Sequence, residues 1–170
     1  MTKPIITIHC DMDGVVVDMD RFIREHLSAA AQGNDAIMWP ELQGMPNFYR
    51  KMKPTPYAAK LWKAVQATGL PRVMLTAIPR VTTIPEAEVD KNWWVDYYQH
   101  RVFNGERPAV NIGPYSKDKW RHCKFGDILI DDRADNCAAW KDAGGFPILH
   151  TGDVEATITR LNFLVQHITG

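Results

Sequence analysis

The sequence predicts an α/β fold in which a parallel β-sheet lies between two layers of helices. Short apolar runs rich in β-branched residues alternate with segments whose apolar residues recur at helical spacing, which is typical of strand–helix–strand units. A chain of 170 residues is long enough for one such domain, and it buries about 70% of its unfolded surface. We therefore expect a single domain over residues 1–170, with right-handed crossovers.

Five short apolar runs are predicted to form the strands. The first, residues 5–10 (IITIHC), is nearly all apolar, as expected for a strand covered on both faces. The others are flanked by Gly, Pro or Asp. They are residues 72–75, 109–112, 127–130 and 146–150.

Helices are predicted between these strands. Apolar residues at helical spacing indicate one helix from residue 19 to about 30 and another from 154 to 168, with Asp153 as N-cap of the second. Further helices are predicted over residues 57–68, 86–100 and 134–143, the last ended by Gly144 and Gly145.

The proline-rich segment 34–56 interrupts the alternation, because it contains no clear strand. We interpret residues 33–64 as a small helical cap inserted after the first strand–helix unit. The core would then comprise about residues 1–32 and 65–170. Ligands of open α/β sheets bind beyond the carboxyl ends of the strands, so an insert at this edge would act as a lid.

Charge and cysteine content limit the classes of function. The 20 basic side chains balance the 20 acidic ones, which argues against a nucleic-acid polymer as partner. Three cysteines without C-x-x-C spacing and six histidines without ligand spacing predict free thiols and no zinc. No apolar run approaches the ~20 residues of a membrane span, and the N-terminus does not resemble a signal peptide. We therefore expect a cytoplasmic protein that does not bind membranes.

Two carboxylate pairs directly follow predicted strands. Asp11 and Asp13 follow the first strand, and side chains at i and i+2 of an extended chain point the same way. Asp131 and Asp132 follow the fourth. Together these acids offer the hard oxygen ligands that suit Mg²⁺. The alternatives are a solvated turn at the first pair and, at the second, capping of the following helix by Asp132 or Asp135.

A calcium-binding EF-hand is excluded by spacing. That loop needs glycine at its sixth position and glutamate at its twelfth. Counting from Asp11, Gly14 is fourth and Phe22 is twelfth.

Two other positions carry side chains that suit a phosphate. Thr76 follows the second strand, where its hydroxyl could donate to a phosphate oxygen. Lys119, with Lys117 as the alternative, precedes the fourth strand, where a cation would offset the charge of a phosphoryl group. Alone, each is a weak signal, since such residues are commonly turn or surface residues.

In this order, D-x-D-G, Thr, Lys and D-D, the chain resembles the haloacid-dehalogenase-like (HAD) superfamily, and in particular its phosphatases. A closer resemblance is to the 5'(3')-deoxyribonucleotidases, carried by the stretches DMDGVVVD, DKNWWVDYY and DILIDDRADN. The resemblance implies a Rossmann-like three-layer parallel sheet with a small helical cap, and it favours a homodimer. Two positions depart from the family pattern: Ala77 replaces a serine after Thr76, and Met19 replaces an aromatic residue that packs on the base.

The resemblance further implies a Mg²⁺-dependent phosphomonoesterase that hydrolyses nucleoside monophosphates, with deoxy forms expected, through an aspartyl-phosphate. Asp11 would be the nucleophile and Asp13 the general acid and base. Asp11, the carbonyl of Asp13 and Asp132 would hold the cation, with Asp131 nearby.

The same resemblance implies the residues that hold the substrate. Thr76 and Lys119 would bind the phosphate, with Arg80 and Lys91 adding positive charge. Aromatic rings of the insert could stack on a base, although such rings more often form a small core. The candidate pocket residues are Met19, Trp39, Phe48, Tyr49 and Trp62.

Two other functions remain open at the level of sequence. One is a phosphatase for another small phosphate ester or for a nucleic-acid 3'-phosphate end. The other is a non-catalytic phosphoacceptor module, against which the presence of both aspartates in both pairs argues.

Overall fold

A parallel sheet forms the centre of the structure, a computed structural model that describes residues 5–79, 83–113 and 115–170. Its strands are β1 (Ile8–Cys10), β2 (Arg72–Ala77), β3 (Ala109–Gly113), β4 (Ile128–Asp131) and β5 (Phe146–Leu149). They lie in the order β3-β2-β1-β4-β5, and all four pairings are parallel. The predicted α/β class with a parallel sheet is confirmed.

The observed β1 begins at Ile8 instead of residue 5, because the Asp127 side chain accepts a backbone hydrogen bond from Thr7. The Asp127 carboxylate accepts the Thr7 N–H at 2.8 Å, so Asp127 precedes β4 instead of opening it. Regular pairing of β1 begins at Ile8, which is fully buried. The central position of β1 explains why all three of its residues are buried, including His9, whose Nε2 lies 3.1 Å from Asp127 Oδ2.

Helices occupy the intervals that the periodicity predicts. Side chains cap several of them: the Asp18 carboxylate accepts the Arg21 N–H, and the Asp153 carboxylate accepts the Ala156 N–H at 3.0 Å. No helix among the described residues is both long and apolar enough to cross a membrane. The helices are α1 (Met19–His26), α2 (Asp35–Gln43), α3 (Phe48–Lys51), α4 (Ala58–Ala67), α5 (Ala87–Tyr97), α6 (Ala134–Asp142) and α7 (Val154–Thr169), with 3-10 helices at Ala29–Ala31 and Ser116–His122.

Two short helices, α2 and α3, lie within the predicted insert, and we call them the insert helices. The chain leaving them runs beside the chain entering α1: the Asp18 N–H donates to the Lys53 carbonyl at 2.8 Å, and the Thr55 N–H donates to the Val16 carbonyl at 2.9 Å. The helix that follows, α4, packs against α7. The exit of the insert is therefore fastened to the segment that precedes α1.

Candidate active site

One cavity of about 670 Å³ lies at the carboxyl ends of the central strands. Asp11 and Asp13 reach it from β1, Ala77 from β2 and Asp132 from β4. The insert helices supply other lining residues, including Trp39. This is the edge at which parallel α/β sheets bind ligands, so the topology brings together residues far apart in the sequence.

Asp11 lines the cavity beside a buried lysine. Only 4% of Asp11 is exposed, and its Oδ1 accepts the Met12 N–H at 2.8 Å. Lys119 Nζ lies 2.7 Å from Asp11 Oδ1 and 2.8 Å from Asp131 Oδ2. Lys119 therefore joins the ends of β1 and β4 through two ion pairs.

The structure separates the two candidate lysines of the YSKDKW stretch. Lys119 makes both ion pairs and is 2% exposed. Lys117 also lines the cavity, but its amine lies 5.9 Å from the centre of the Tyr115 ring. The 3-10 helix Ser116–His122 directs these lysines differently, which sequence spacing alone does not reveal.

The cluster shifts the pKa values of its members. Burial raises the pKa of Asp11, and the neighbouring Asp131 and Asp13 charges add to this effect against the opposing charge of Lys119. Burial alone would lower the pKa of Lys119, but the charges of Asp11 and Asp131 raise it. The cluster thus holds concentrated negative charge that a divalent cation would relieve.

The Asp131 carboxylate is fixed by several donors. Its Oδ1 accepts the Arg133 N–H at 2.9 Å, and Asn136 Nδ2 lies 3.1 Å from the same oxygen. Asn136 Nδ2 also lies 2.9 Å from Ser116 Oγ, which lines the cavity. Sequence reasoning did not identify Asn136 or Ser116, because an amide five residues after an aspartate has no chemical signature of its own.

Three carboxylates form a site that fits a divalent cation. Asp11, Asp131 and Asp132 each offer an oxygen, and these oxygens lie within 4.8 Å of one another. Gly14 has φ +79°, and a Cβ at this position would overlap the Asp132 carboxylate, so only glycine leaves space for it. Such hard oxygen donors are suited to Mg²⁺.

Asp132 is the most open of these three acids. Within residues 5–79, 83–113 and 115–170, no lysine or arginine forms an ion pair with it. Partial burial and the charge of Asp131 raise its pKa to about 6. Asp132 therefore has oxygens available for a cation, whereas Asp131 is already engaged by Lys119.

The structure corrects the role predicted for Lys91. Its ammonium group lies 2.7 Å from Asp13 Oδ2, 2.7 Å from Thr76 Oγ1 and 2.8 Å from the Ala77 carbonyl. An ammonium group has three N–H donors, and these contacts use all of them. Lys91 is 1% exposed and does not line the cavity, so its charge lies against the second aspartate of the D-x-D motif.

Thr76 also lies differently from the prediction. It is fully buried, its hydroxyl accepts a hydrogen bond from Lys91, and the cavity wall at this strand end is formed by Ala77. Thr76 does not line the cavity, and its Oγ1 lies 2.7 Å from Lys91 Nζ and 3.5 Å from the Ala77 carbonyl, so its contact with a phosphate stays a prediction. Arg80, the remaining predicted phosphate ligand, lies outside the described residues.

Three of the five predicted pocket residues line the cavity, namely Met19, Trp39 and Tyr49. The assignment of Phe48 and Trp62 was wrong. Phe48 is 1% exposed and stacks against Tyr49 with ring centres 4.1 Å apart. Trp62 is fully buried, and its indole N–H donates to Glu106 Oε2 at 3.0 Å. Both rings face the core because apolar burial dominates their positions on short amphipathic helices.

Comparison with known proteins identifies the fold. No family model matches the chain, and no curated protein matches its sequence. A hydrolase from Streptococcus pneumoniae TIGR4 superposes with a TM-score of 0.50 at 11% identity, covering 95% of this chain and 100% of that one. A HAD hydrolase of family IA, variant 3, from Entamoeba histolytica superposes with a TM-score of 0.50 at 14% identity, covering 87% and 85%.

A third structure is the D,D-heptose 1,7-bisphosphate phosphatase from B. bronchiseptica, complexed with magnesium and phosphate. It shares 17% identity, covers 91% of this chain and 86% of that one, and has a TM-score of 0.49. The two structures with a TM-score of 0.50 show that the chain has a Rossmann-like fold like that of HAD hydrolases. At these identities the likeness concerns the fold, so the chemistry has to be argued from the site itself.

Proposed function

We propose that this chain is a Mg²⁺-dependent phosphomonoesterase that hydrolyses nucleoside monophosphates, preferably deoxyribonucleotides, through an aspartyl-phosphate on Asp11. The observation that carries the proposal is the placement of Asp11 and Asp13 on one cavity, beside Asp132 and Lys119. Nucleophile, proton donor, cation ligands and a fixed positive charge thus surround one space.

In the first step, an Asp11 oxygen forms a bond to phosphorus while the bond from phosphorus to the sugar oxygen breaks. Asp13 gives its proton to that sugar oxygen, so the product leaves as a neutral alcohol. Lys119 uses two N–H groups for Asp11 and Asp131, which leaves its third donor for a phosphoryl oxygen.

In the second step, water attacks the phosphorus of the aspartyl-phosphate. Asp13, now a carboxylate, takes a proton from this water, and the bond between phosphorus and the Asp11 oxygen breaks. Inorganic phosphate leaves, and both aspartates return to their starting states. The oxygens of Asp11 and Asp132 and the carbonyl of Asp13 would hold Mg²⁺, which would neutralise charge between a carboxylate nucleophile and an anionic phosphate.

The size and the lining of the cavity favour a small substrate with a planar apolar part. Its volume of about 670 Å³ falls within the range of small-molecule sites, about 300–1,000 Å³. Trp39 and Tyr49 line it, together with Met19 and Met38. A base stacked on such a ring gains about 1–3 kcal/mol. A nucleoside monophosphate has a phosphate for the charged residues of this lining and a planar group for its rings.

The experiment is a phosphate-release assay on 5'- and 3'-nucleoside monophosphates in ribo and deoxy forms, with sugar phosphates for comparison. Turnover should be highest on deoxynucleotides and should stop with EDTA and in Asp11→Asn. Asp142→Asn, an exposed carboxylate at the end of α6, is the matched control and should retain full activity.

Other results would redirect the proposal. Equal turnover of all esters would contradict nucleotide specificity and leave a general phosphatase. Accumulation of a stable aspartyl-phosphate without release would indicate a phosphoacceptor module. Activity that falls steeply with salt on 3'-phosphorylated oligonucleotides would favour a polymer end as substrate.

A further inference from the structure

The proposed reaction assigns no role to Lys91, although its environment is unusual. It is a fully buried cation in α5, and all three of its N–H donors are taken by protein oxygens. We propose that Lys91 is a positioning residue that fixes Asp13 for proton transfer and links it to the insert helices. This inference rests on the proposed function, because it assigns a role within the same reaction.

The two oxygens of Asp13 have different surroundings. Oδ2 accepts a hydrogen bond from Lys91 at 2.7 Å. Oδ1 is buried and has no hydrogen-bond partner among the described residues. A buried carboxylate oxygen without a partner is costly, and it is usually explained by a group that binds there. Because Lys91 holds Oδ2, a proton on Asp13 would reside on Oδ1, and we assign this oxygen to the proton transfer.

Strand β2 fixes the position of Lys91 from the side of the core. Thr76 Oγ1 and the Ala77 carbonyl hold the ammonium group at 2.7 and 2.8 Å. Since both acceptors belong to a strand in the middle of the sheet, they provide a rigid support. Catalytic groups need such support because a misplacement of about 1 Å can cost 100-fold in rate.

The insert helices reach the same lysine from the other side. The Tyr49 ring of α3 lies with its centre 4.6 Å from Lys91 Nζ, within the range of a cation–π contact. Beside it, Arg50 Nε lies 2.6 Å from Asp90 Oδ1, so α3 is fastened to α5 at two successive residues. We therefore expect the orientation of Asp13 to depend on the position of α3.

A purely structural role for Lys91 makes a different prediction from a positioning role. A structural lysine would affect every substrate equally, because the whole site would be disturbed. A lysine that positions the general acid should affect only substrates whose leaving group needs a proton. A sugar hydroxyl needs one, whereas p-nitrophenolate leaves without protonation.

The test compares the first chemical step for these two kinds of leaving group in Lys91→Met. With p-nitrophenyl phosphate, we expect the rate of the initial p-nitrophenolate burst to stay within about threefold of wild type. With a deoxynucleotide in single turnover, we expect the rate to fall about 100-fold, a typical contribution of general acid catalysis. The KM for the nucleotide should change little, because Lys91 does not line the cavity.

Two milder variants keep the test valid if Lys91→Met folds poorly. Thr76→Val removes one acceptor of the lysine and should give a smaller loss with the same selectivity for the nucleotide. Lys91→Arg keeps the charge and should recover part of the nucleotide rate.

Three results would overturn the inference. Equal loss on both substrates in Lys91→Met and Thr76→Val would show a structural role. A raised KM with unchanged rate would return Lys91 to substrate binding. If the wild-type protein cleaves neither ester, the proposed function itself fails, and this inference fails with it.

Discussion

Two buried lysines hold the two aspartates of the D-x-D motif. Lys119 pairs with Asp11 and with Asp131 at the ends of β1 and β4. Lys91 pairs with Asp13 and with Thr76 at the end of β2. Both lysines are at most 2% exposed, but their partners differ in kind. Lys119 faces two carboxylates, whereas Lys91 faces one carboxylate and neutral oxygens.

The two lysines also differ in which parts of the fold surround them. The Lys119 region is built from the sheet and from residues that follow it, including Asn136 of α6. The Lys91 region includes an insert helix, through the Tyr49 ring. We infer that the core alone sets the position of the nucleophile, whereas the proton-transfer group also depends on the insert. Four predictions test this contrast.

The largest effect is expected for Lys119→Met, which leaves two buried carboxylates without their cation. Removing one partner of a buried ion pair costs about 3–5 kcal/mol, and we expect this loss in the free energy of unfolding, measured with urea in EDTA at pH 8. The loss should be smaller at pH 5, because the raised pKa of Asp11 lets it take up a proton as the pH falls. Lys117→Met, the control, should stay within about 0.5 kcal/mol of wild type.

The second prediction concerns the pH dependence of Mg²⁺ binding. Protons compete with the cation for Asp132, whose pKa is raised to about 6, and for Asp11, whose pKa is also raised, so the Mg²⁺ dissociation constant should increase by at least about tenfold between pH 7 and pH 5. Titration calorimetry in two buffers with different heats of ionisation should detect the released protons. Asp132→Asn should weaken binding strongly, while Lys91→Met should not. An equal effect of both variants would abolish the distinction between the two regions.

The third prediction tests the cavity wall that the insert helices supply. Trp39→Ala removes a ring that could stack on a base, so the KM for deoxynucleotides should rise about 5- to 150-fold, as expected for the loss of about 1–3 kcal/mol. Trp62→Phe is the matched control, since this buried ring lies away from the cavity. Steady-state kinetics would contradict the assignment if both variants raised the KM alike.

The smallest effect is expected for Arg50→Met, which breaks the pair between α3 and Asp90. Loss of one hydrogen bond to a charged group should lower the free energy of unfolding by about 1.5 kcal/mol. If α3 supports Asp13 through α5, single-turnover cleavage of a deoxynucleotide should slow about threefold, while the p-nitrophenolate burst stays unchanged. Slowing of both steps would mean that the insert supports the nucleophile as well.

Local pattern and chemistry were enough to predict much of the fold and the acidic part of the site. Apolar runs bounded by Gly, Pro or Asp located the five strands within a few residues, because a buried parallel strand has little other choice of composition. The D-x-D and D-D pairs were informative because several carboxylates at strand ends have few structural explanations. The Lys119 position, by contrast, required the course of a 3-10 helix that spacing does not determine.

The sequence by itself therefore determined the strand order along the chain, the carboxylates at the strand ends and the demand for a cation among them. Only the tertiary structure decided which of the candidate side chains lie together at the cavity. In the folded chain Lys91 contacts Asp13, and Asn136 contacts Asp131. Thr76, Phe48 and Trp62 are buried and do not line the cavity. The reason is physical: a residue's chemistry is local, but burial and the pairing of charges depend on neighbours that only folding brings together.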